Sequence, residues 1–186
     1  MIVIDTHTHF GDPSVPKQIY RTELPPVYRG LHGAETVTGT VVTESTRRQG
    51  RVETAEECAA SGNADNEWTL QLADKDPFVV GVVGDLDPYS EQFEGDLAHF
   101  AADLRFVGYR LTTYSPDAEH PDPDDRHYTG HPSFTPEGIT PRLLQSLRAT
   151  AAAGLVLDVH GAFNPSLGAS CAEPFLTAVI QQVPGV

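Results

Sequence analysis

The sequence predicts an α/β protein built on a parallel sheet with crossover connections, and three observations predict it. Five short apolar runs rich in β-branched residues recur, at Ile2–His9, Gly39–Glu44, Phe78–Leu86, Phe106–Thr112 and Leu155–His160. Each is followed by a helical or loop-like stretch, and strands alternating with helices imply parallel pairing. The runs are near-continuously apolar, the pattern of strands covered on both faces. Two architectures fit, a doubly wound open sheet and a (β/α)8 barrel of the TIM type, and spacing alone does not choose between them. No G-x-G-x-x-G or G-x-x-x-x-G-K-[ST] follows the first run, so the nucleotide-binding open sheets lose their main support.

The elements between the runs follow from their periodicity. Glu91–Leu104 places Phe93, Leu97, Phe100, Ala101 and Leu104 on one helical stripe. Thr140-Pro141 reads as an N-cap with a first-turn proline. Leu143, Leu144, Leu147 and Ala151 form the apolar face behind it, and Gly154 ends the helix. Asn63–Asp74 is a further helix with Trp68 and Leu72 one turn apart, and Glu173-Pro174 opens a last one bearing Phe175, Val179 and Ile180. His32 and His99 read as surface helix positions. Gly11–Pro26 and Thr113–Gly138 are long, Pro-rich loops after the first and fourth strands, where lids and binding loops usually sit.

Bulk properties narrow the function. With 26 acidic against 12 basic side chains the formal charge is −14, a surface that repels phosphate backbones and anionic membranes. Nucleic acid and membrane are therefore excluded as expected partners, and a small-molecule substrate is expected instead. The two cysteines, Cys58 and Cys171, lie far apart and outside any C-x-x-C spacing, which reads as free, inert thiols. The chain opens on Ile2-Val3-Ile4 with no basic or signal-like apolar region, and no apolar run approaches the ~20 residues that span a bilayer. A cytoplasmic protein of one domain, residues 1–186, is the expectation.

The sharpest chemical feature is Ile4-Asp5-Thr6-His7-Thr8-His9-Phe10. On a strand, residues i and i+2 point to the same side, so His7 and His9 project together at its carboxyl end. Two imidazoles so placed can share one divalent cation at ~2.0–2.1 Å each. Asp5 has the same parity one step deeper, where it could orient a histidine. His160 ends the run Leu155–Val159 in the corresponding strand-end position, and a third imidazole there would complete a catalytic ligand set with one position open for water. Ordinary half-buried or loop histidines are the competing reading of all three.

Arg110 sits near the end of the fourth run, where a guanidinium could pair with a substrate carboxylate or hold structural carboxylates. Glu44 and Asp85 end the second and third runs, with structural roles favoured for each. His120, His127 and His131, among Asp122, Asp124, Asp125 and Arg126, read as a solvated lid. No G-x-S-x-G appears, and neither cysteine has a histidine neighbour in the sequence, so nucleophilic triads are unsupported.

These residues resemble a known group. Ile4–Phe10 looks like the first strand of the amidohydrolase superfamily. Asn66-Glu67-Trp68, Leu72-Ala73 and Asp76-Pro77, running into Val80–Pro88, are similar to the second helix and third strand of its amidohydrolase-related (amidohydrolase 2 type) family. Phe106–Leu111 and Leu155–His160 resemble that family's fourth and fifth strands. The resemblance covers nearly the whole chain apart from the long loops. It implies a (β/α)8 barrel with a divalent metal, zinc or manganese, although some lactonases need none. It implies hydrolysis of lactones and related cyclic esters, with non-oxidative decarboxylases as cousins. By the same resemblance His7, His9 and His160 take the metal positions and Arg110 a carboxylate contact. The fourth strand lacks the carbamylated lysine of two-metal members, which favours a single ion. Other families with an H-x-H first strand fit less well, since the nucleases among them look for a glutamate where Asp85-Leu86-Asp87-Pro88 stands.

One departure stands out. A full barrel takes eight strands and typically ~250 residues, whereas five runs are present here. The last-strand aspartate that the resemblance implies as general base, and a sixth-strand histidine, have no counterpart in the 186 residues. A C-terminally truncated chain carrying about the first five β/α units is therefore expected, with an inactive fragment that only binds a metal or a partner as the alternative. Bare edges at the first and fifth strands are a predicted aggregation or pairing hazard, and a homo-oligomer is one protein contact the chain could make.

Overall fold

A computed structural model describes residues 3–11, 24–32, 37–43, 55–112, 139–160 and 172–185, with the backbone alone at 31–32, 55–58, 112, 160 and 172–173. The readings made for Glu44, both cysteines, most of the two long loops and the histidines of the second loop lie outside this description. Ten elements alternate strictly: β1 (Ile4–Thr8), α1 (Pro25–His32), β2 (Gly39–Thr43), α2 (Ala55–Lys75), β3 (Val79–Asp85), α3 (Phe93–Phe100), β4 (Phe106–Thr112), α4 (Pro141–Ala152), β5 (Val156–His160) and α5 (Ala172–Gln182).

All neighbouring strands pair in parallel, in the order β1-β2-β3-β4-β5. That order decides between the two architectures. A doubly wound sheet reverses direction at a switch point, so strands adjacent in sequence end up separated. Here each strand lies beside the next one in the chain, as in a barrel wound one way. The chain thus forms part of a (β/α) barrel, with helices packed on one face of a curled sheet.

The core lies between that sheet and its helices. Val42, Val79, Val82, Phe106 and Tyr109 from the strands meet Phe93, Leu97 and Phe100 of α3, and Leu111 meets Leu143 and Leu147 of α4 and Phe175 and Val179 of α5. Phe100 stacks on Phe106 with ring centroids 5.4 Å apart. The other face is less covered than an all-apolar strand pattern implies. Val156 is 57% exposed, and Ile4 and Val80 are exposed as well.

Three helices differ in extent from the sequence reading, for identifiable reasons. α2 starts eight residues earlier than Asn63, because its first half carries little apolar pattern and is held by close packing on β3. α3 ends at Phe100, and Leu104 is 95% exposed instead of joining the stripe. Asp103 Oδ1 accepts the Arg105 backbone N–H at 2.9 Å, a turn that takes Leu104 off the helix axis. On α5 the buried line runs Phe175, Val179, Val183, one turn apart each, and leaves Ile180 outside. α1 (Pro25–His32) is foreshadowed only by the reading of His32 as a helix position, with no start assigned to it. α4 agrees closely with its reading: Thr140 Oγ1 accepts the Leu143 N–H at 3.1 Å, and Gly154 adopts φ 69°, which suits a residue without Cβ.

The end of β3 is fixed by α2. The buried Asn66 amide accepts the Asp85 N–H and donates to the Asp85 carbonyl, both at 2.8 Å. It thereby completes the backbone bonding of the strand's last residue. Asn66 can come this close only because residue 84 has no side chain: a Cβ there would lie 2.2 Å from Asn66 Oδ1 and 2.5 Å from Phe106. Gly84→Ala is expected to cost about 3 kcal/mol or more, through overpacking that neither neighbour can relieve, measured by urea unfolding.

Ion pairs tie the outer layer together, among them Arg105 to Asp74 of α2 at 2.7 Å. Arg142 of α4 reaches Glu94 of α3 at 2.6 Å, Arg29 of α1 reaches Asp76 at 2.8 Å, and Arg105 reaches Asp103 at 2.5 Å. Each arginine holds its carboxyl below the ordinary value of 4.5 for Glu94 or 3.8 for Asp76 and Asp103. A depressed carboxyl contributes stability above its unfolded pKa and loses it as pH falls through the folded one. Stability should therefore be flat down to about pH 5, then fall through 4.5 and 3.8 and below. Glu94→Gln should shallow that slope in denaturation curves taken across pH.

Candidate active site

Because the strands are parallel, their carboxyl ends share one rim, and the residues singled out above lie along it. β1 brings His7 to its last positions, with His9 one residue past the strand's end. His7 is exposed and His9 half-buried. Their Nε2 atoms are 3.0 Å apart, with the rings inclined at 73°. Two nitrogens that each bind one ion at ~2.0–2.1 Å stand roughly 2.9–3.4 Å apart, for angles between a right angle and the tetrahedral value. The pair therefore fits a shared cation. The same separation suits an N–H···N hydrogen bond between the two rings, with donor and acceptor set by their tautomers.

Asp5 engages its neighbours through both carboxylate oxygens. Oδ1 accepts the backbone N–H of His7 at 3.0 Å, and Oδ2 accepts the hydroxyl of Tyr28 from α1. Burial, and the Asp5 carboxylate beside it, push the Tyr28 phenol up to about 12. Next to them Thr8 and Thr40 join across β1 and β2 through their hydroxyls at 2.7 Å, and both are buried.

On the far side of the sheet, Asp85, Arg110 and Asp158 are partners in a single row across β3, β4 and β5. Arg110 is 4% exposed, and its Nε and Nη2 both donate to Asp158 Oδ2, at 2.8 and 2.7 Å. The guanidinium that the sequence offers to a substrate carboxylate is thus engaged with a carboxylate of the next strand. His160 ends β5 opposite Thr112, two residues beyond Asp158. Its side chain lies outside the described residues. Among those residues no group of three or more His, Cys, Asp or Glu side chains is placed to hold a metal.

Asp158, Tyr28 and Asn66 are the site-forming residues that sequence reasoning passed over. Asp158 had a signal, being the one charged residue in an apolar strand and sharing parity with His160. Tyr28 had none, because it follows a Pro-rich stretch without strand or helix periodicity. His99 lies on the surface of α3 as expected, 2.6 Å from Glu67.

No protein-family model and no curated protein matches the chain. Several solved structures share its fold. An amidohydrolase from Burkholderia multivorans, in one crystal form with HEPES bound and in another with zinc, is 17% identical in both. The match covers 94% of this chain and 54% or 55% of that one, with TM-scores of 0.54 and 0.51. A probable 2-pyrone-4,6-dicarboxylic acid hydrolase from Acinetobacter baumannii, with citric acid bound, is 13% identical over 96% of this chain and 66% of that one, at a TM-score of 0.55. A 5-carboxyvanillate decarboxylase from Sphingomonas paucimobilis is 11% identical over 97% and 61%, at 0.50. The chain spans between about half and two-thirds of the length of these proteins, and what it shares with them is the barrel fold.

The Arg110–Asp158 pair makes a stability prediction of its own. Asp158→Ala removes two charge-assisted bonds from a buried guanidinium and should cost about 3 kcal/mol, the lower end for breaking a buried pair, since Asp158 is itself 36% exposed. Replacing both residues together, as Arg110→Met with Asp158→Leu, should recover most of the loss in a denaturant double-mutant cycle.

Proposed function

We propose that this chain carries the first part of the active site of a metal-dependent hydrolase, acting on a small cyclic ester or related carbonyl compound. The observation that carries the reading is the 3.0 Å separation of His7 Nε2 and His9 Nε2 at the rim of a parallel barrel sheet. His160, at the end of β5, is the proposed third ligand. One divalent ion, zinc by preference and manganese as the alternative, is the proposed cofactor. The Burkholderia structure that holds zinc supports that preference.

When bound, such an ion lowers the pKa of its water toward ~7 and polarises a carbonyl oxygen. The chain's own contribution is positional. His7 and His9 present two ring nitrogens from one strand end, and Arg110 with Asp158 holds β4 and β5 in register one pleat below His160. The carboxylate that takes the proton from the attacking water is not assigned to a residue of this chain. A decarboxylase working on the same scaffold is the second reading, supported by the decarboxylase among the fold relatives.

The test is metal analysis of the purified chain together with a panel of lactones, esters and aromatic acids. One equivalent of zinc or manganese is expected, lost in His7→Ala. Lactone hydrolysis should fall at least ~100-fold in that variant, in keeping with loss of a metal-ligand contact. Carbon dioxide release from an aromatic acid, with no ester turnover, would replace the hydrolase by the decarboxylase. A soluble, folded chain that takes up no divalent metal would sink both.

A further inference from the structure

β1 does not run regularly past His7. It pairs with β2 at Asp5↔Thr40 and again at Thr8↔Val42, so three steps along β1 face two along β2. One residue is extra, a register shift of the kind a bulge makes, and such an irregularity bends its strand and re-aims a side chain. The His7 amide, inside that irregularity, donates to the Asp5 side chain, an i to i+2 link of the Asx-turn kind. The other Asp5 oxygen takes the Tyr28 hydroxyl, and the Asp5 carbonyl accepts from Thr40 Oγ1 at 3.1 Å. The bulge is therefore fastened from α1, from β2 and from within β1.

Side chains two apart on a regular strand stand parallel, their Cα atoms about 6.5 Å apart at the usual rise. His7 and His9 instead converge until their Nε2 atoms are 3.0 Å apart. We propose that Tyr28 and Asp5 form a positioning clamp: they hold the bulge that turns the His7 imidazole toward His9 and so set the spacing at which the pair receives a divalent ion. The clamp rests on the reading of His7 and His9 as metal ligands. Tyr28 is suited to the task because its ring is already packed, edge-on to Phe10 at 6.0 Å between centroids and tilted against Phe78 at 5.9 Å. Tyr28→Phe keeps that packing and removes only the hydroxyl.

The test compares the whole chain with Tyr28→Phe, Asp5→Asn and Asp5→Ala. Cobalt and zinc affinities come from competition with a chromophoric chelator, and the exchange rate of the His7 amide is read by NMR in the metal-free protein. Tyr28→Phe should weaken metal binding about 10–100-fold, the usual effect of losing a partner behind the ligands, and should speed His7 exchange. Asp5→Ala should do more. Asp5→Asn, which keeps an acceptor for the His7 amide, should fall between wild type and Asp5→Ala. A lower melting temperature in Tyr28→Phe with unchanged affinity and exchange would make the tyrosine merely structural and overturn the clamp. Failure of the wild type to bind any divalent ion would remove the ligand reading instead. The exchange rates then decide the clamp alone: faster in Tyr28→Phe upholds it, equal rates overturn it.

Discussion

Parallel pairing of all five strands forces the chain to return outside the sheet after every one of them. Parallel pairing puts every strand's carboxyl end on one rim, and the consecutive strand order with crossovers of one hand puts the helices on one face. The same arrangement also brings α2 close to the end of β3, within reach of Gly84, where Asn66 takes over the backbone bonding of Asp85. With its last residue bonded in this way, β3 can support the row Asp85, Arg110, Asp158, and that row carries β5 up to His160. The face turned from the helices keeps exposed valines at positions 80 and 156. In a closed barrel such positions fill interior layers.

Charge adds a second level of selection. The chain's −14 raises the local concentration of cations and lowers that of anions over the whole surface. A histidine pair gains from that field if its ligand is a divalent ion. An arginine meant for a carboxylate loses from it, and Arg110 is engaged with Asp158 inside the sheet. The pair's two partners are unequal, since Arg110 is buried and Asp158 faces partly outward. The desolvation cost therefore falls mainly on the arginine, which recovers it by donating two bonds to one oxygen.

The fold was legible in the sequence wherever a pattern was both periodic and buried. β4 and α4 could be read to the residue or nearly so, because Phe106–Thr112 is a dense apolar run and Thr140-Pro141 and Gly154 mark both helix ends. Patterning failed at element ends, where turn chemistry decides: Leu104 and Ile180 continue an apolar stripe in sequence and leave it in space. The choice of a barrel over a doubly wound sheet was closed to periodicity and spacing, since strand order depends on which faces meet and not on what each strand contains. It came from the resemblance of the strand motifs, and the strand order agrees with it. At the candidate site, His7 and His9 declared themselves through spacing. Tyr28 could not, because what makes it part of the site is a contact across 23 residues.

The two kinds of ligand in the proposed site differ in what must be built to present them. His7 and His9 are neighbours on one strand, and their convergence needs only a bulge and its fastening. His160 belongs to β5, at the other end of the strand order. Bringing it to the same ion means closing a loop of some 150 residues, which costs only about 0.6 kcal/mol more with each doubling of length. Folding of the sheet meets that cost before any ion arrives. An ion bound by all three would join β1 to β5 and bind the folded chain alone. It would then stabilise the fold by RT ln(1 + [L]/Kd), about 2.7 kcal/mol at a hundredfold excess over Kd. An ion held by His7 and His9 alone leaves β5 unconstrained, so the distinction lies in whether metal protects β5 as well as β1 from opening.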